Sequence, residues 1–204
     1  MLRVLTKPDL LKHLDENPPL VTSMIDQQTQ IQSNGIDFTL REVRRFNVPK
    51  SKEDRMAKAG RVDFDNTYRR LADTLLLSFD STGWVYLPEG CYKVIFNEIV
   101  HIPPDVFGIA RPRSSLIRNG VTVETGVWDS GYAGRSEALL LVFNRSGVHL
   151  QQNARIVQVI FFELSMPIED KDTYAGRYNG ENLWQQLGLF TLLAENDADD
   201  DTEP

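Results

Sequence analysis

The chain has 204 residues, 41% hydrophobic and 25% charged, a composition typical of one globular domain with short appendages. Its formal net charge of −7 argues against binding to nucleic-acid polymers, because phosphate backbones need a basic surface. One cysteine, Cys91, and three scattered histidines exclude an internal disulfide and a zinc-binding pattern, and no signal-peptide profile or membrane-length apolar run is present. We therefore expect a cytoplasmic protein that binds no membrane.

The N-terminal region predicts a short helix over residues 8–16. Pro8 suits the first turn of a helix, where a backbone N–H is not needed. Three leucines at helical spacing form one apolar face, namely Leu10, Leu11 and Leu14. The Asn-Pro-Pro sequence that follows ends the helix.

Beyond this helix the sequence predicts a mainly β fold. Apolar and polar residues alternate from 36 to 40, which is the period of a half-buried strand. Residues 47–70 are densely charged with alternating signs, so we expect a loop or a helical insertion there. Between residues 75 and 165 short β-rich runs are separated by closely spaced turn sequences, and no long helix is predicted. This density of short strands indicates a sandwich, a jelly roll or a barrel.

The C-terminal region divides into two parts by composition. Residues 183–193 are apolar enough to dock on the body of the protein or on a neighbouring subunit. Residues 194–204 are acidic and almost free of apolar side chains, so we expect them to be disordered.

A first group of residues suited to chemistry lies around residue 114. Arg113, Ser114 and Ser115 bring a guanidinium, two hydroxyls and backbone donors to one turn, and Arg118 adds a second cation. Such groups suit phosphate oxygens, because arginine offers a charged fork and hydroxyls fill the remaining acceptor sites. The alternative is a strand end that makes ordinary turn hydrogen bonds.

A second group lies in residues 126–134, where three glycines allow the backbone to approach a ligand closely. Asp129 in this segment has the chemistry of a general base for water, and Tyr132 can pack on a ring-shaped ligand. The alternative for Asp129 is a turn aspartate that caps its own backbone.

Taken together, these segments resemble the trimeric dUTPase and dCTP deaminase superfamily. Four motifs of that superfamily recur in order along the chain, at residues 33–38 (SNGIDF), 112–116 (PRSSL), 126–134 (GVWDSGYAG) and 153–159 (NARIVQV). The N-terminal helix and residues 178–182 (YNGEN) are similar to the dCTP deaminase branch and to short archaeal-type dUTPases. The resemblance implies a distorted β-barrel or jelly roll over residues 1–182, and a homotrimer with three shared active sites.

The resemblance also implies a reaction, the hydrolysis of dUTP to dUMP and pyrophosphate. Asp129 would orient and deprotonate the water that attacks the α-phosphorus, and Asp37 would face a magnesium ion through bound water. The other roles are substrate binding. The triphosphate would be held by Arg113, Ser114, Ser115 and Gln158, with Arg118 nearby. The uracil base would form hydrogen bonds with the backbone at Gly126 and Val127, and the deoxyribose would stack against Tyr132. A lid would be formed by Arg177 and Tyr178. Arg155 is implied to be structural.

Two alternatives remain open from the sequence. The first is dCTP deamination, alone or combined with dUTP hydrolysis. Deaminases of the superfamily use a glutamate on the strand after the third motif, where this chain has Leu139 or Leu141. Glu137 lies one residue pair earlier, about 7 Å along a strand, and only a bulge would bring it into place. The second alternative is a non-enzymatic β-domain that binds a partner protein.

Overall fold

The computed structural model describes residues 2–183, so the predictions for the apolar segment beyond Leu183 and for the acidic tail lie outside the described residues. The part of the chain that the structure describes has four α-helices, α1 (Lys7–Leu14), α2 (Gln27–Gln30), α3 (Lys52–Lys58) and α4 (Ser114–Arg118), with a 3₁₀ turn at Asp170–Asp172. The strands are β1 (Arg3–Val4), β2 (Val21–Thr22), β3 (Ile31–Gln32), β4 (Gly35–Phe46), β5 (Thr74–Leu77), β6 (Trp84–Leu87), β7 (Gly90–Phe96), β8 (Ile99–His101), β9 (Val106–Pro112), β10 (Val121–Glu124), β11 (Ala133–Gly134), β12 (Glu137–Val142), β13 (Val148–Gln151) and β14 (Arg155–Glu163).

Helix α1 confirms the prediction of a short N-terminal helix, with one correction. The Asp9 carboxylate accepts hydrogen bonds from the backbone N–H and the hydroxyl of Thr6, which fixes the first turn. Leu10 and Leu14 are buried, but Leu11 is 43% exposed. The prediction that Leu11 belongs to the buried face is wrong, because it lies about 100° around the helix from Leu10.

The strands form a curled antiparallel sheet, and the predicted mainly β architecture is confirmed. Nine strands make the largest sheet, with the order β1-β14-β4-β7-β12-β10, while β3 and β5 pair with β4 and β9 pairs with β14. Two smaller sheets complete the fold, β11-β8-β2 and β13-β6. Every pair of adjacent strands is antiparallel.

Strand β4 links the two halves of the large sheet, since its first part pairs with β14 and its second part with β7. Gly35 begins β4 at a point of close approach, where a Cβ atom would lie 2.3 Å from the carbonyl oxygen of Val159. Any larger residue would push β4 away from β14.

The half-buried pattern predicted for residues 36–40 is wrong, because all five residues are buried. Thr39 is satisfied inside the protein by Glu98, whose carboxylate accepts bonds from the Thr39 N–H at 2.8 Å and from its hydroxyl at 2.6 Å. The Gln30 amide donates to the same carboxylate at 2.7 Å. Burial raises the pKa of Glu98, and these hydrogen bonds oppose the shift.

The core is aromatic at the point where the sheet curls. Phe38, Phe96 and Trp128 pack with ring centroids 5.6 to 6.4 Å apart, and all three are buried. Edge-to-face contacts of this kind add to the stability gained by burying the rings. Trp128 therefore ties the third motif to the centre of the barrel.

The charged insertion at residues 47–70 lies on the surface. Its helix α3 has no buried residue and begins at Ser51, whose hydroxyl accepts a hydrogen bond from the Asp54 N–H at 3.0 Å. Within residues 2–183 no helix is long and apolar enough to cross a bilayer.

Candidate active site

Asp129 is held at the surface by the residues on either side of it. Trp128 exchanges two backbone hydrogen bonds with Gly108, at 2.8 and 3.0 Å, and its indole N–H donates to the Ser136 hydroxyl at 2.6 Å. On the other side, the buried Ser130 hydroxyl donates to the Val106 carbonyl at 2.7 Å. The backbone that carries Asp129 is thus fixed to two elements of the sheet.

The Asp129 side chain itself is exposed, and it has no hydrogen-bond or salt-bridge partner among the described residues. The alternative of a turn aspartate that caps its own backbone is not what the structure shows. A fixed backbone with an unpaired carboxylate is the arrangement that a general base for water requires.

Asp129 lies at the edge of a cavity of about 250 Å³, which we call the Asp129 cavity. Its lining combines backbone of the glycine-rich segment with tyrosines and three carboxylates. The lining residues are Leu71, Gly126, Val127, Trp128, Asp129, Tyr132, Ser136, Glu137, Tyr174, Tyr178 and Glu181. A nucleoside-sized ligand with apolar faces and hydrogen-bonding edges suits such a lining.

Glu181 is a residue of this cavity that sequence reasoning did not select as a site residue. The buried Tyr132 hydroxyl donates to its carboxylate at 2.8 Å and also contacts the Ser136 hydroxyl at 3.2 Å. Burial raises the pKa of Glu181 to about 6, against the lowering effect of the Tyr132 bond, and the Glu137 charge adds to the rise. Burial also raises the pKa of Tyr132. The motif pattern could not reveal Glu181, because its position matches a glutamine in the deaminase ending.

Glu137 also lines the Asp129 cavity, although its position along β12 was predicted to displace it from the reactive position. The pairing of β12 with β7 runs without a register shift from Glu137 to Val142, so no bulge moves Glu137 toward the position of Leu139. Its carboxylate pairs with Lys93 Nζ at 2.8 Å and accepts a long 3.4 Å bond from the Asn182 amide. Glu137 is therefore held by a cation at the cavity wall.

The predicted phosphate-binding residues lie elsewhere on the chain. Arg113 occupies the N-cap position of helix α4, and its Nη1 lies 2.9 Å from Asp37 Oδ2. Ser114 and Ser115 follow in the first turn of that helix, where both are exposed. Gln158 on β14 stands opposite Asp37 in the strand register. These residues form a second polar group, and Arg118 is exposed at the end of α4.

Asp37 is the buried centre of this second group. Its Oδ2 forms an ion pair with Arg113 and accepts a hydrogen bond from Arg155 at 3.1 Å. Arg155 also donates to the Thr29 carbonyl. Burial raises the pKa of Asp37, and the two guanidinium charges oppose that rise. Arg155 is thus held by Asp37 and by a backbone carbonyl.

Asp37 could face a magnesium ion only through its other oxygen, Oδ1, because Oδ2 is paired with two arginines. Oδ1 has no hydrogen-bond partner among residues 2–183. The described residues contain no cluster of three or more His, Cys, Asp or Glu side chains that would hold a metal ion by themselves. A magnesium ion here would keep most of its ligands as water and phosphate oxygens, which is its ordinary preference.

Residues 174–182, which we call the C-terminal strap, cross over the third motif. Five hydrogen bonds of 2.7 to 3.0 Å join the strap to Ser130, Ala133 and Arg135. Three of them are between backbone groups. In the other two, the Asn179 side chain accepts from the Ala133 N–H and the Asn182 side chain donates to the Arg135 carbonyl. Tyr178 and Tyr174 of the strap line the Asp129 cavity, and Tyr174 packs edge-on against Tyr132 with centroids 5.5 Å apart. Arg177 is exposed beside them.

One chain does not bring all of the predicted residues together. The predicted site residues that line the Asp129 cavity are Gly126, Val127, Asp129, Tyr132 and Tyr178. Among the described residues, the second polar group around Asp37 and helix α4 contributes nothing to the lining of that cavity.

Comparison with known proteins gives a consistent set of relatives. A family model described as dCTP deaminase-like matches residues 4–164. A protein of Methanosarcina mazei is 47% identical over 181 residues, which is 89% of this chain and 99% of that protein, and is named probable deoxyuridine 5'-triphosphate nucleotidohydrolase. A Methanocaldococcus jannaschii protein named deoxyuridine 5'-triphosphate nucleotidohydrolase is 35% identical over 155 residues, 76% of this chain and 90% of that protein.

A solved structure supports the fold. The 2'-deoxycytidine 5'-triphosphate deaminase of Agrobacterium tumefaciens superimposes with a TM-score of 0.57 at 17% sequence identity. The match covers 79% of this chain but only 48% of that one, so this chain spans about half the length of the deaminase chain. At this identity the similarity concerns the fold alone.

Proposed function

The chain belongs to the dCTP deaminase-like family, and within that family we propose that it hydrolyses dUTP to dUMP and pyrophosphate. The observation that carries this proposal is the Asp129 cavity, which joins an unpaired carboxylate to exposed backbone at Gly126 and Val127. The names of relatives that match most of the chain support the same reaction.

In the proposed reaction Asp129 accepts a proton from the water that attacks the α-phosphorus. Its backbone is fixed by Trp128 and Ser130, so the carboxylate keeps its position while the new bond to phosphorus forms. The backbone at Gly126 and Val127 forms hydrogen bonds with the uracil edge, and the Tyr132 ring packs against the deoxyribose.

We propose that the triphosphate is bound by Arg113, Ser114, Ser115 and Gln158 of a neighbouring subunit, because the second polar group lies away from the Asp129 cavity of its own chain. A homotrimer with three shared sites satisfies this requirement and closes the assembly by symmetry. Magnesium bound to the phosphates would neutralise their charge, and Asp37 would contact its water shell through Oδ1.

We also keep the prediction of a cytoplasmic location. It is supported by the chemistry of Cys91, the one cysteine of the chain, which is a free and exposed thiol.

A second function is favoured by one specific observation, the presence of Glu137 in the Asp129 cavity. A dCTP deaminase needs a group that moves protons between water and the cytosine ring. The ion pair of Glu137 with Lys93 and the uninterrupted register of β12 favour dUTP hydrolysis alone.

The test of the proposal is the release of pyrophosphate from dUTP in the presence of magnesium, with Asp129→Asn as the comparison. We expect the wild-type chain to release pyrophosphate and the variant to lose about 10²–10⁴ in kcat, because an amide cannot accept the proton. Binding of a hydrolysis-resistant dUTP analogue should be largely retained, since the substitution changes neither size nor backbone. Near wild-type turnover of the variant would exclude Asp129 as the base.

A further inference from the structure

The charged insertion reaches the Asp129 cavity although most of it is exposed. Leu71, which directly follows the insertion, lines that cavity. Arg61 and Arg70 pair as an isolated antiparallel bridge, and the Arg70 guanidinium donates to the Ala59 carbonyl at 2.6 and 3.0 Å. These contacts close residues 61–70 into a loop, and Arg69 lies at its end next to the C-terminal strap.

Arg69 faces a second cavity, of about 460 Å³, that adjoins the first. Its lining consists of Asn66, Arg69, Tyr174, Gly176, Arg177 and Tyr178, so we call it the Arg69 cavity. Tyr174 and Tyr178 line both cavities, so the two spaces are neighbours on either side of these tyrosines.

The Arg69 guanidinium is held in place before any ligand binds. It lies over the Tyr178 ring, 5.4 Å from the centroid, and its Nε donates to the Asn66 side-chain oxygen at 2.9 Å. Because these contacts fix the guanidinium plane, less conformational entropy is lost when its remaining N–H groups bind a ligand.

The Arg69 cavity concentrates positive charge on a chain whose net charge is −7. No salt bridge within residues 2–183 includes Arg69 or Arg177. In the same loop, the Asp63 and Asp65 carboxylates accept hydrogen bonds from the backbone N–H groups of Tyr68 and Thr67. The buried Asp63 Oδ1 has no hydrogen-bond partner among the described residues. Two guanidinium groups that face one space repel each other, and an anion between them removes that repulsion.

We propose that Arg69, beside the lid residue Arg177, contacts the phosphate chain of the nucleotide whose nucleoside occupies the Asp129 cavity, in addition to the phosphate-binding residues of the neighbouring subunit. This inference rests on the proposed function and gives the insertion a role in it. Phosphate is the anion that fits, because its oxygens match the planar fork of arginine and the Arg69 cavity shares Tyr174 and Tyr178 with the Asp129 cavity. The insertion and the strap then close together on the bound triphosphate.

The test compares Arg69→Gln with Arg55→Gln, which removes the same charge from exposed helix α3 of the same insertion. Binding of an imido analogue of dUTP, of inorganic pyrophosphate and of deoxyuridine is measured by calorimetry. We expect Arg69→Gln to weaken the analogue and pyrophosphate by about tenfold, and to leave deoxyuridine within about twofold, because only the phosphates contact the guanidinium. Arg55→Gln should match the wild type, and Arg69→Lys should keep part of the phosphate affinity.

Equal losses for deoxyuridine and the analogue would overturn the proposal, since they would mean that Arg69 only holds Tyr178 in place. Unchanged phosphate affinity in Arg69→Gln would overturn it as well. Failure of the proposed function has a different signature, because the wild-type chain would then bind the analogue without releasing pyrophosphate from dUTP.

Discussion

Asp129 and Glu181 line one cavity in opposite environments. Asp129 is exposed and has no partner among the described residues, whereas Glu181 is half-buried and accepts a hydrogen bond from Tyr132. Burial penalises the charged form of Glu181 and raises its pKa to about 6.

The raised pKa of Glu181 predicts a dependence of stability on pH. The folded protein binds the Glu181 proton more tightly than the unfolded chain does, so this contribution is full below the ordinary glutamate pKa and is lost as the pH rises through about 6. Glu181→Gln keeps the acceptor for Tyr132 and removes the titration. We expect the free energy of unfolding of the variant, relative to wild type, to rise by up to about 1 kcal/mol between pH 4.5 and 7, because solvent around the half-exposed carboxyl weakens the effect of the shift.

Urea unfolding at several pH values measures this difference, and Glu89→Gln at an exposed carboxylate is the control. A constant difference between Glu181→Gln and wild type across that range would show that Glu181 has an ordinary pKa in the folded protein.

At the residue scale the sequence predicted which residue types could bind phosphate or act as a base, namely Arg113, Ser114 and Asp129, and these roles stay predictions. It did not predict burial correctly. Thr39 was expected to alternate toward solvent, but it is buried because Glu98, 59 residues away, satisfies its polar groups. Local periodicity contains no information about a partner that distant.

The C-terminal strap and the third motif form one unit at the scale of elements. Tyr174 N–H donates to the Ser130 carbonyl at 2.8 Å, and Gly180 N–H donates to the Ala133 carbonyl at 2.7 Å. Gly131 lies between these contacts with φ of +87°, and a Cβ atom there would be 2.6 Å from the Thr173 Cβ. A side chain at this position would be strained and would also displace the strap.

We therefore expect Gly131→Ala to lower the free energy of unfolding by more than backbone strain alone would, because the added Cβ also collides with Thr173. Gly83→Ala supplies the comparison, because Gly83 has a similar φ of +81° and nothing within 4 Å of an added Cβ. We expect about 1 kcal/mol for Gly83→Ala and at least about twice that for Gly131→Ala, with a raised KM for dUTP only in the latter. Equal unfolding energies and an unchanged KM in both variants would mean that the strap does not depend on this contact.

The β-strands after residue 75 could be predicted because turn residues separate short β-rich runs, and the structure has strands from β6 to β14 there. The role of the insertion could not be predicted in the same way. Its charges indicated a surface segment, and α3 is indeed exposed. The approach of Arg69 to Tyr178 joins residues more than 100 positions apart, which only the fold brings together.

At the scale of the whole molecule, the second polar group does not line the Asp129 cavity of its own chain, and we propose that a neighbouring copy supplies it. We predict a homotrimer with a mass three times the 23.2 kDa of one chain, and a monomeric mass by light scattering at micromolar concentration would contradict it. From the sequence, the trimer could be predicted only through the family resemblance, because a pattern of residues along one chain does not show which surface contacts a neighbouring subunit.

Mixing two inactive variants tests the sharing of sites directly. Asp129→Asn chains keep Arg113, and Arg113→Gln chains keep Asp129, so a mixed trimer contains some sites with both intact groups. After refolding an equal mixture we expect roughly a quarter of the wild-type kcat per site, the statistical share for sites built from two chains. Thermal unfolding of the Arg113→Gln variant alone checks that it folds without its ion pair to Asp37. If a folded mixture recovers no activity, Asp129 and Arg113 of the same chain must serve the same site.

The central claim is that this chain hydrolyses dUTP and does not deaminate dCTP. The most direct measurement incubates wild type and Glu137→Gln with each nucleotide and magnesium, and separates the products by ion-exchange chromatography. We predict dUMP and pyrophosphate from dUTP, unchanged dCTP, and an active Glu137→Gln variant, because Lys93 holds Glu137 and no bulge moves it into the deaminase position. Formation of dUMP or dUTP from dCTP by the wild type, abolished in Glu137→Gln, would contradict this conclusion.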